Sequence, residues 1–381
     1  MATNTLGNYN EDFFAQEALI QLEKVMGMAG RVFRGYDSAT KAKGDTIQLR
    51  RPASFTATSA PASDSDLATE SVSITLNQWD EVKFSLTDKD LSLTAPQIVT
   101  DHIRPAAVAL ADKIDQNLAS LYIDIPWIAA QTATPALADI AAIRKIMFDN
   151  KVPLNDKSNL NYMIDGATEL AYLNALAAAG QQANTQDPSL REGSLGRLYG
   201  FDVWANQNTP SHTSGVAADA AGAVDLTAGY AAGLKAMHID GITSGATLLE
   251  GDTFSIAGHT QRYVLTADAV ETTGDADIAF EPGLTAAVAD DAVVTFTITG
   301  SAKVQTLAFH RNAFALATAP LSSMGNELGA RIAVASDPIT NISLRSRIFY
   351  MPDESKVKVA LDVLYGFKTL DRNLAVRGYD A

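Results

Sequence analysis

The chain has 381 residues, 47% of them hydrophobic, enough for two or three packed units with cores of their own. It carries 29 basic and 44 acidic residues, a formal charge of −15, and no basic arm of the kind that condenses nucleic acid unaided. The lack of cysteine excludes disulfides and thiolate metal sites, and no run of about 18 apolar residues marks a membrane-spanning helix. The absence of cysteine fits synthesis in a reducing cytoplasm, and Met1 to Asn10 is polar and lacks the basic-then-apolar order of a secretory signal.

Within residues 11–34, Phe14, Ala18, Leu22, Val25 and Met26 fall on one helical stripe. Either the chain's own body or a neighbouring copy must cover it. From Gly44 to Leu93 the period drops to two: Ile47 and Leu49, then Val72, Ile74 and Leu76, then Val82, Phe84 and Leu86. That alternation predicts half-buried antiparallel strands. The stretch between them, SFTATSAPASDSDLATES, is too polar to make a core and reads as a loop tip. The result is a long two-stranded arm, and an isolated hairpin is marginal in water.

A long helix follows, with Thr94 as N-cap and Pro96 in its first turn. Ile103, Ala107, Leu110, Ile114, Leu118 and Leu121 form its apolar line, and Asp101, Asp112, Lys113, Asp115 and Gln116 fall largely off it. Pro105 is expected to kink or restart it. Residues 135–150 predict a second amphipathic helix, 161–164 a strand and 167–180 a third helix ended by Gly180. These pieces make an α+β body.

Residues 236–303 have an all-β texture, with candidate strands at 252–257, 261–267, 277–280 and 293–299. Between Ala217 and Gly300, twelve acidic residues face only Lys235 and Arg262, a net of −10 in an exposed insertion. Such short strands can close into a small barrel. Beyond it, Val357, Val359, Leu361, Val363 and Tyr365 alternate with Lys356, Lys358, Ala360 and Asp362, the cleanest strand pattern in the chain.

Three stretches in this order resemble the major capsid (coat) proteins of tailed bacteriophages, and more narrowly the group that carries an inserted β-domain. They are GDTIQLRRPASF with VKFSLTDKDLSL and RPAAVALADKIDQNLASL; LLEGDTFSIAGHTQRYVLTAD; and LAFHRNAFALATAPL with DVLYGFKTLDRNLAVR. The resemblance implies an N-terminal arm at 1–43 and an extended loop at 44–93 reaching over a neighbouring subunit. It implies a peripheral domain at 94–134 and 340–366 whose spine helix is 94–125. The axial domain would be 135–235, 304–339 and 367–381, with the inserted barrel-like domain at 236–303. The function implied is that of a virion shell protein, made in the host bacterial cytoplasm, that self-assembles as pentamers and hexamers into an icosahedral procapsid. The strand pattern begins too early for a long cleaved scaffold segment, which implies a separate scaffolding protein. A portal protein would nucleate the shell, and a motor would package double-stranded DNA without sequence-specific binding. No lysine lies between Lys43 and Lys83, so the lysine–asparagine cross-link of some relatives is not expected. Alternatives are an encapsulin-like shell with protein cargo, and a non-shell phage structural protein or adhesin.

No constellation points to catalysis, a cofactor or a metal. His102, His212, His238, His259 and His310 are scattered without metal-ligand spacing and read as surface or turn residues. Gly193, Gly196 and Gly200 lack the phosphate-loop lysine and read as a loop with a close backbone approach. Asp64, Asp66 and the acids at 275–277 lack a calcium-loop pattern and read as solvated. The residues expected at contacts between subunits are Phe14 and Leu22 on the leading helix and Arg50, Arg51, Phe55, Asp64 and Asp66 on the loop. Asp80, Lys83 and Asp88 on its return, and Arg262 on the insertion, complete the set. Opposite charges at the base and tip would set docking register.

Overall fold

A computed structural model describes residues 11–25, 27–35, 44–50, 71–87, 102–131, 134–178, 193, 195–216, 221–243, 245–297, 300–321, 331–337 and 342–380. The chain divides into two compact units, Met1–Leu118 with Phe314–Leu370, and Ala119–Ala313 with Asp371–Ala381.

The first unit is built on the 14-residue strand Lys356–Thr369. Gln78–Thr87 pairs along one of its edges, and Ile342–Met351 and Phe314–Ala319 share the other, all antiparallel. Arg331–Asp337 adds a further strand outside Ile342–Met351. Val359, Leu361, Val363 and Tyr365 are buried as their period requires, but so are Ala360, Asp362 and Leu364 opposite them. Partners on both edges and cover on both faces make this strand central rather than half-solvated.

Helix α1 (Glu11–Val25) packs on Arg331–Asp337 and Ile342–Met351, burying Ala15, Ala18, Leu19 and Leu22. Helix α2 (Arg104–Ala119) has Pro105 as its second residue and follows directly on a π-helical turn at His102–Ile103, so the helical register changes at the proline, as a residue without an N–H requires. The expected cap at Thr94 and Pro96 lie outside the described residues. Asp115 on α2 departs from the sequence reading. It is 4% exposed, and its carboxylate accepts the N–H groups of Gly27 (2.6 Å), Met28 (3.3 Å) and Ala29 (3.0 Å) just after α1. Burial still holds this carboxyl above its ordinary range, against the three donors.

Thr46–Arg50 and Ser71–Thr75 pair over five rungs as the expected hairpin. Its root is intramolecular. Ile47, Ile74 and Leu76 are buried with Ala315, Ala317, Ala319 and Leu364 of the same unit. The third strand, Gln78–Thr87, belongs to the sheet and not to the arm. Gly366 is where the hairpin crosses the central strand, because a Cβ there would stand 2.3 Å from the Thr75 carbonyl oxygen. Gly366→Ala is therefore expected to destabilise this unit by about 1–3 kcal/mol. Hydrogen exchange should show the amides of Ser71–Thr75 losing protection before those of Ile342–Met351.

The second unit holds a mixed sheet in the order Ile128–Gln131, Ala375–Asp380, Ala302–His310, Leu160–Ile164, Phe201–Ala205, Arg197–Leu198. The first two strands run parallel, as do Leu160–Ile164 and Phe201–Ala205. Helices α3 (Leu137–Asp149) and α4 (Gly166–Ala178) make the crossovers. Ile140, Ile143 and Met147 of α3 and Tyr172 of α4 share one core with Tyr162, Ile164, Phe201, Ala308 and Val376. The Tyr162 hydroxyl sits inside that core near Gln131 Nε2 (2.7 Å), Thr306 Oγ1 (3.1 Å) and Tyr172 Oη (3.3 Å), and burial pushes its pKa up to about 12. It is a hydrogen-bonding hub, never an acid at working pH.

Ser211–Thr213 and the start of Ala302–His310 are antiparallel neighbours, and the insertion leaves and returns through them. It is a closed six-stranded barrel of Ala236–Asp240, Ala276–Glu281, Arg262–Leu265, Thr253–Ile256, Val293–Thr297 and Ala221–Val224. Phe254 lies at its centre, with ring centroids 5.4 Å from those of Tyr263, Phe280 and Phe296. Two expected boundaries move. The barrel takes in Ala221–Val224, which pairs with strands on either side and closes it, so it begins before residue 236. Phe314–Ala319 and Arg331–Asp337, expected in the axial domain, do not join the mixed sheet of the second unit but are laddered into the sheet of the first.

Candidate assembly surfaces and the joint under the barrel

Leu22 is wholly buried under α1 by its own chain, so it is not offered to a neighbour; that expectation is corrected. Phe14 lies on the same helix, with its side chain outside the described residues. Arg50 ends its strand opposite Ser71. Arg51, Phe55, Asp64, Asp66 and Asp88 lie outside the described residues.

Asp80 and Lys83 both have partners within their own unit, and Lys83 is exposed. Asp80 accepts the hydroxyl of Tyr365, which itself accepts from Asn117 Nδ2, and burial pushes that phenol up. Lys83 pairs with Glu81 at 2.6 Å, and Glu81 also meets Arg347. Burial alone would raise the Glu81 carboxyl, but Lys83 and Arg347 outweigh it and hold it below its usual range. At the centre, Asp362 is fully buried and takes a bidentate fork from Arg345 (3.0 and 2.6 Å). Trp79 Nε1 donates to it at 3.1 Å, and Arg347 lies 3.1 Å away. Register brings the group together, since Glu81 and Arg345 both stand directly opposite Asp362. Glu81, Arg345, Arg347 and Asp362 together lock three strands of one sheet.

Arg262 is likewise no free surface cation. It is half-buried on its barrel strand, donates to Thr297 Oγ1 at 3.2 Å, and is held below its ordinary pKa by burial.

The histidines are not all surface residues. His310 is 4% exposed, with Nε2 3.5 Å from Asp156. His259 Nδ1 lies 2.6 Å from the Tyr263 hydroxyl. His238 Nδ1 meets Asp277 at 2.8 Å on the barrel's outside, and that bond, against a small desolvation, holds its imidazole above its ordinary value. The stabilisation is present below the ordinary imidazole pKa and is lost as pH rises through the raised one. In an NMR pH titration His238 should lose its proton above the usual imidazole midpoint, and Asp277→Asn should bring the midpoint back down.

The most connected cluster lies where the barrel meets the mixed sheet of the second unit. His212, on Ser211–Thr213, has Nδ1 3.1 Å from the Tyr122 hydroxyl and Nε2 3.0 Å from Asp252 Oδ1. A neutral imidazole protonated at Nε2 serves both, donating to the carboxylate and accepting from the phenol. Asp252, its side chain fully buried, also accepts the N–H groups of Gly215 (3.0 Å) and Leu249 (2.8 Å). Arg377, 1% exposed on Ala375–Asp380, donates to the Gly251 carbonyl at 2.8 Å. Its guanidinium lies 5.7 Å from the centre of the Tyr122 ring. Burial pulls its pKa down to about 10, so it stays charged at neutral pH. Gly215 admits no side chain, because a Cβ would stand 1.9 Å from the Thr247 carbonyl oxygen. Gly300 N donates to Gly215 O at 3.1 Å, tying the outgoing and returning segments together.

No protein-family model matches the chain, and no curated protein matches it. Solved structures do. A chain described as Mycobacterium phage Che8 is 14% identical, with 93% of this chain and 90% of that one covered and a TM-score of 0.48. One from the capsid structure of the Cyanophage P-SCSP1u is 12% identical over 93% and 91%, with a TM-score of 0.45. One from the crystal structure of a virus-like particle from Pyrococcus furiosus is 7% identical over 96% and 97%, with a TM-score of 0.43.

Among the described residues there is no group of three or more His, Cys, Asp or Glu placed to hold a metal ion. Among them, too, no helix is long and apolar enough to cross a membrane. Gly200 opens the turn between Arg197–Leu198 and Phe201–Ala205, and Arg144 Nη1 donates to the carbonyl of Tyr199 beside it at 2.6 Å. The glycine-rich stretch thus seats a hairpin turn against α3. What the arrangement supplies is rigid registration: a locked sheet in one unit, and a barrel held on a sheet by buried polar groups in the other.

Proposed function

We propose that this chain is the major capsid protein of a tailed bacteriophage, a subunit whose copies close into an icosahedral shell around double-stranded DNA. The observation that carries the reading is where the three resembling stretches fall. In chain order they lie on a rooted hairpin with its sheet strand, on the long helix α2, on the heart of a closed inserted barrel, and on the closing strands of both sheets. On this reading the residues beyond Arg50 reach a neighbouring copy. The expected scaffolding and portal partners then organise a subunit that cannot gather DNA by charge.

A net charge of −15 makes copies repel at long range, so contacts between them must be short-range, and added salt should favour assembly. Each copy touches several neighbours, and many weak contacts then suffice. The test is co-expression with candidate scaffolding proteins, followed by light scattering, negative-stain microscopy and nuclease digestion of particles from infected cells. Uniform closed particles that protect DNA are expected. Well-behaved monomers under every condition would sink the reading, and particles filled with protein instead of DNA would replace it with a cellular shell.

A further inference from the structure

The barrel hangs on the axial sheet by two segments, and a domain so attached can swing unless something stops it. Four side chains from distant parts of the chain converge at that attachment. Tyr122 follows α2, His212 is on the outgoing strand, Asp252 belongs to the barrel, and Arg377 comes from the strand Ala375–Asp380. Asp252 is the hub. One oxygen takes His212 of the sheet, while the other takes Gly215 of the outgoing segment and Leu249 of the barrel's own turn. Arg377 grips the adjoining carbonyl of Gly251, so sheet and barrel are bonded on both sides of one peptide. A second strut, Arg372 to Glu281 at 3.4 Å, is longer and more exposed.

We propose that Asp252 and Arg377 are positioning residues that hold the inserted barrel in one orientation on the axial sheet. In the shell proposed above, and resting on that reading, the barrel is then a fixed projection whose acidic surface meets each neighbour at the same angle. Buried charge-assisted hydrogen bonds suit this role, because a swing that breaks one leaves a charge desolvated without its partner. Apolar contacts alone would let the barrel slide, since they carry little directional preference.

The chain has no native cysteine, so paired labels are clean. Cysteines placed at Phe148 on α3 and at Val270, on the two-stranded ribbon Thr247–Leu248 and Ala269–Val270 carried by the barrel domain, which are 70% and 75% exposed, accept spin labels without disturbing either core. Pulsed electron resonance on the full chain in solution should give one narrow distance distribution. Asp252→Ala and Arg377→Met should each broaden it at least twofold, while hydrogen exchange in Thr253–Ile256 and Ala276–Glu281 stays within twofold of the parent. An unchanged distribution in both variants would overturn the proposal. So would loss of barrel protection in both, which would make these residues part of barrel folding. If Asp252→Ala does not fold, Arg377→Met decides, because its side chain lies outside the barrel. The measurement needs no particles, so a chain that never assembles refutes the shell reading and leaves this result standing.

Discussion

Asp362→Ala is expected to cost the first unit about 3–5 kcal/mol, a large part of the stability of a domain of ordinary size. Asp362 is wholly buried, and its removal strands Arg345, itself only 8% exposed, without the carboxylate that its fork grips. Arg347 and the Trp79 indole lose the same acceptor. The loss arises from an orphaned charge and not from a missing attraction, and this can be checked. Replacing both partners with apolar residues, Arg345→Met with Asp362→Leu, should recover most of the stability. Trp79 reports on this sheet directly; the chain's other two tryptophans are Trp127 and Trp204 in the second unit. In a background with those two changed to phenylalanine, urea unfolding followed by fluorescence should show a lower midpoint for Asp362→Ala and near-parental behaviour for the double variant. If the double variant is as unstable as the single one, the stranded-charge account is wrong.

Much of the fold is legible in the period of the sequence. The stripe through Ile103, Ala107, Leu110, Ile114 and Leu118 is buried as a helix face, and the strands expected near 252–257, 261–267, 277–280 and 293–299 are barrel strands within a few residues. Alternation reports local burial, but pairing is set by partners far away in sequence. Phe314–Ala319 reads as a strand, yet nothing within it says that it will pair with Lys356–Thr369 instead of continuing the mixed sheet of the second unit. Ala221–Val224 is AGAV, too short and small to raise a strand signal, although it closes the barrel.

The candidate site is less legible, for the same reason. Asp115 falls off the apolar line of its helix, and only the turn 86–88 residues earlier makes it a buried acceptor. Glu81 shows no sign of a structural role in the sequence, and only the register, which places it opposite Asp362, gives it one. One clue to the joint was present. Arg377 interrupts the apolar run LAV in the closing strand, and a cation among buried residues requires a partner. Its position in the interior of the sheet, between Ile128–Gln131 and Ala302–His310, makes that requirement strict. His212 and Asp252 gave no comparable signal, since each sits in a polar stretch and acquires its role only when the barrel folds back on the sheet.

Phe254→Ala tests whether the barrel has a stability of its own. Its ring fills the centre of a six-stranded barrel spanning 221–297 and touches three other aromatic rings at 5.4 Å. Truncation to alanine is expected to cost about 3–5 kcal/mol in transfer and cavity terms. A domain of that length has only about 4–12 kcal/mol in all. Hydrogen exchange on the full chain resolves where the loss falls. Protection of Thr253–Ile256, Arg262–Leu265 and Ala276–Glu281 should drop by roughly two to three orders of magnitude, at about 1.4 kcal/mol per tenfold. Leu160–Ile164, whose core of Tyr162, Ile143 and Phe201 shares no residue with the barrel's, should keep its protection. Equal losses in both would mean that the joint welds sheet and barrel into one cooperative body. Asp252 would then carry global stability through its bonds to His212 and Gly215, and not orientation alone.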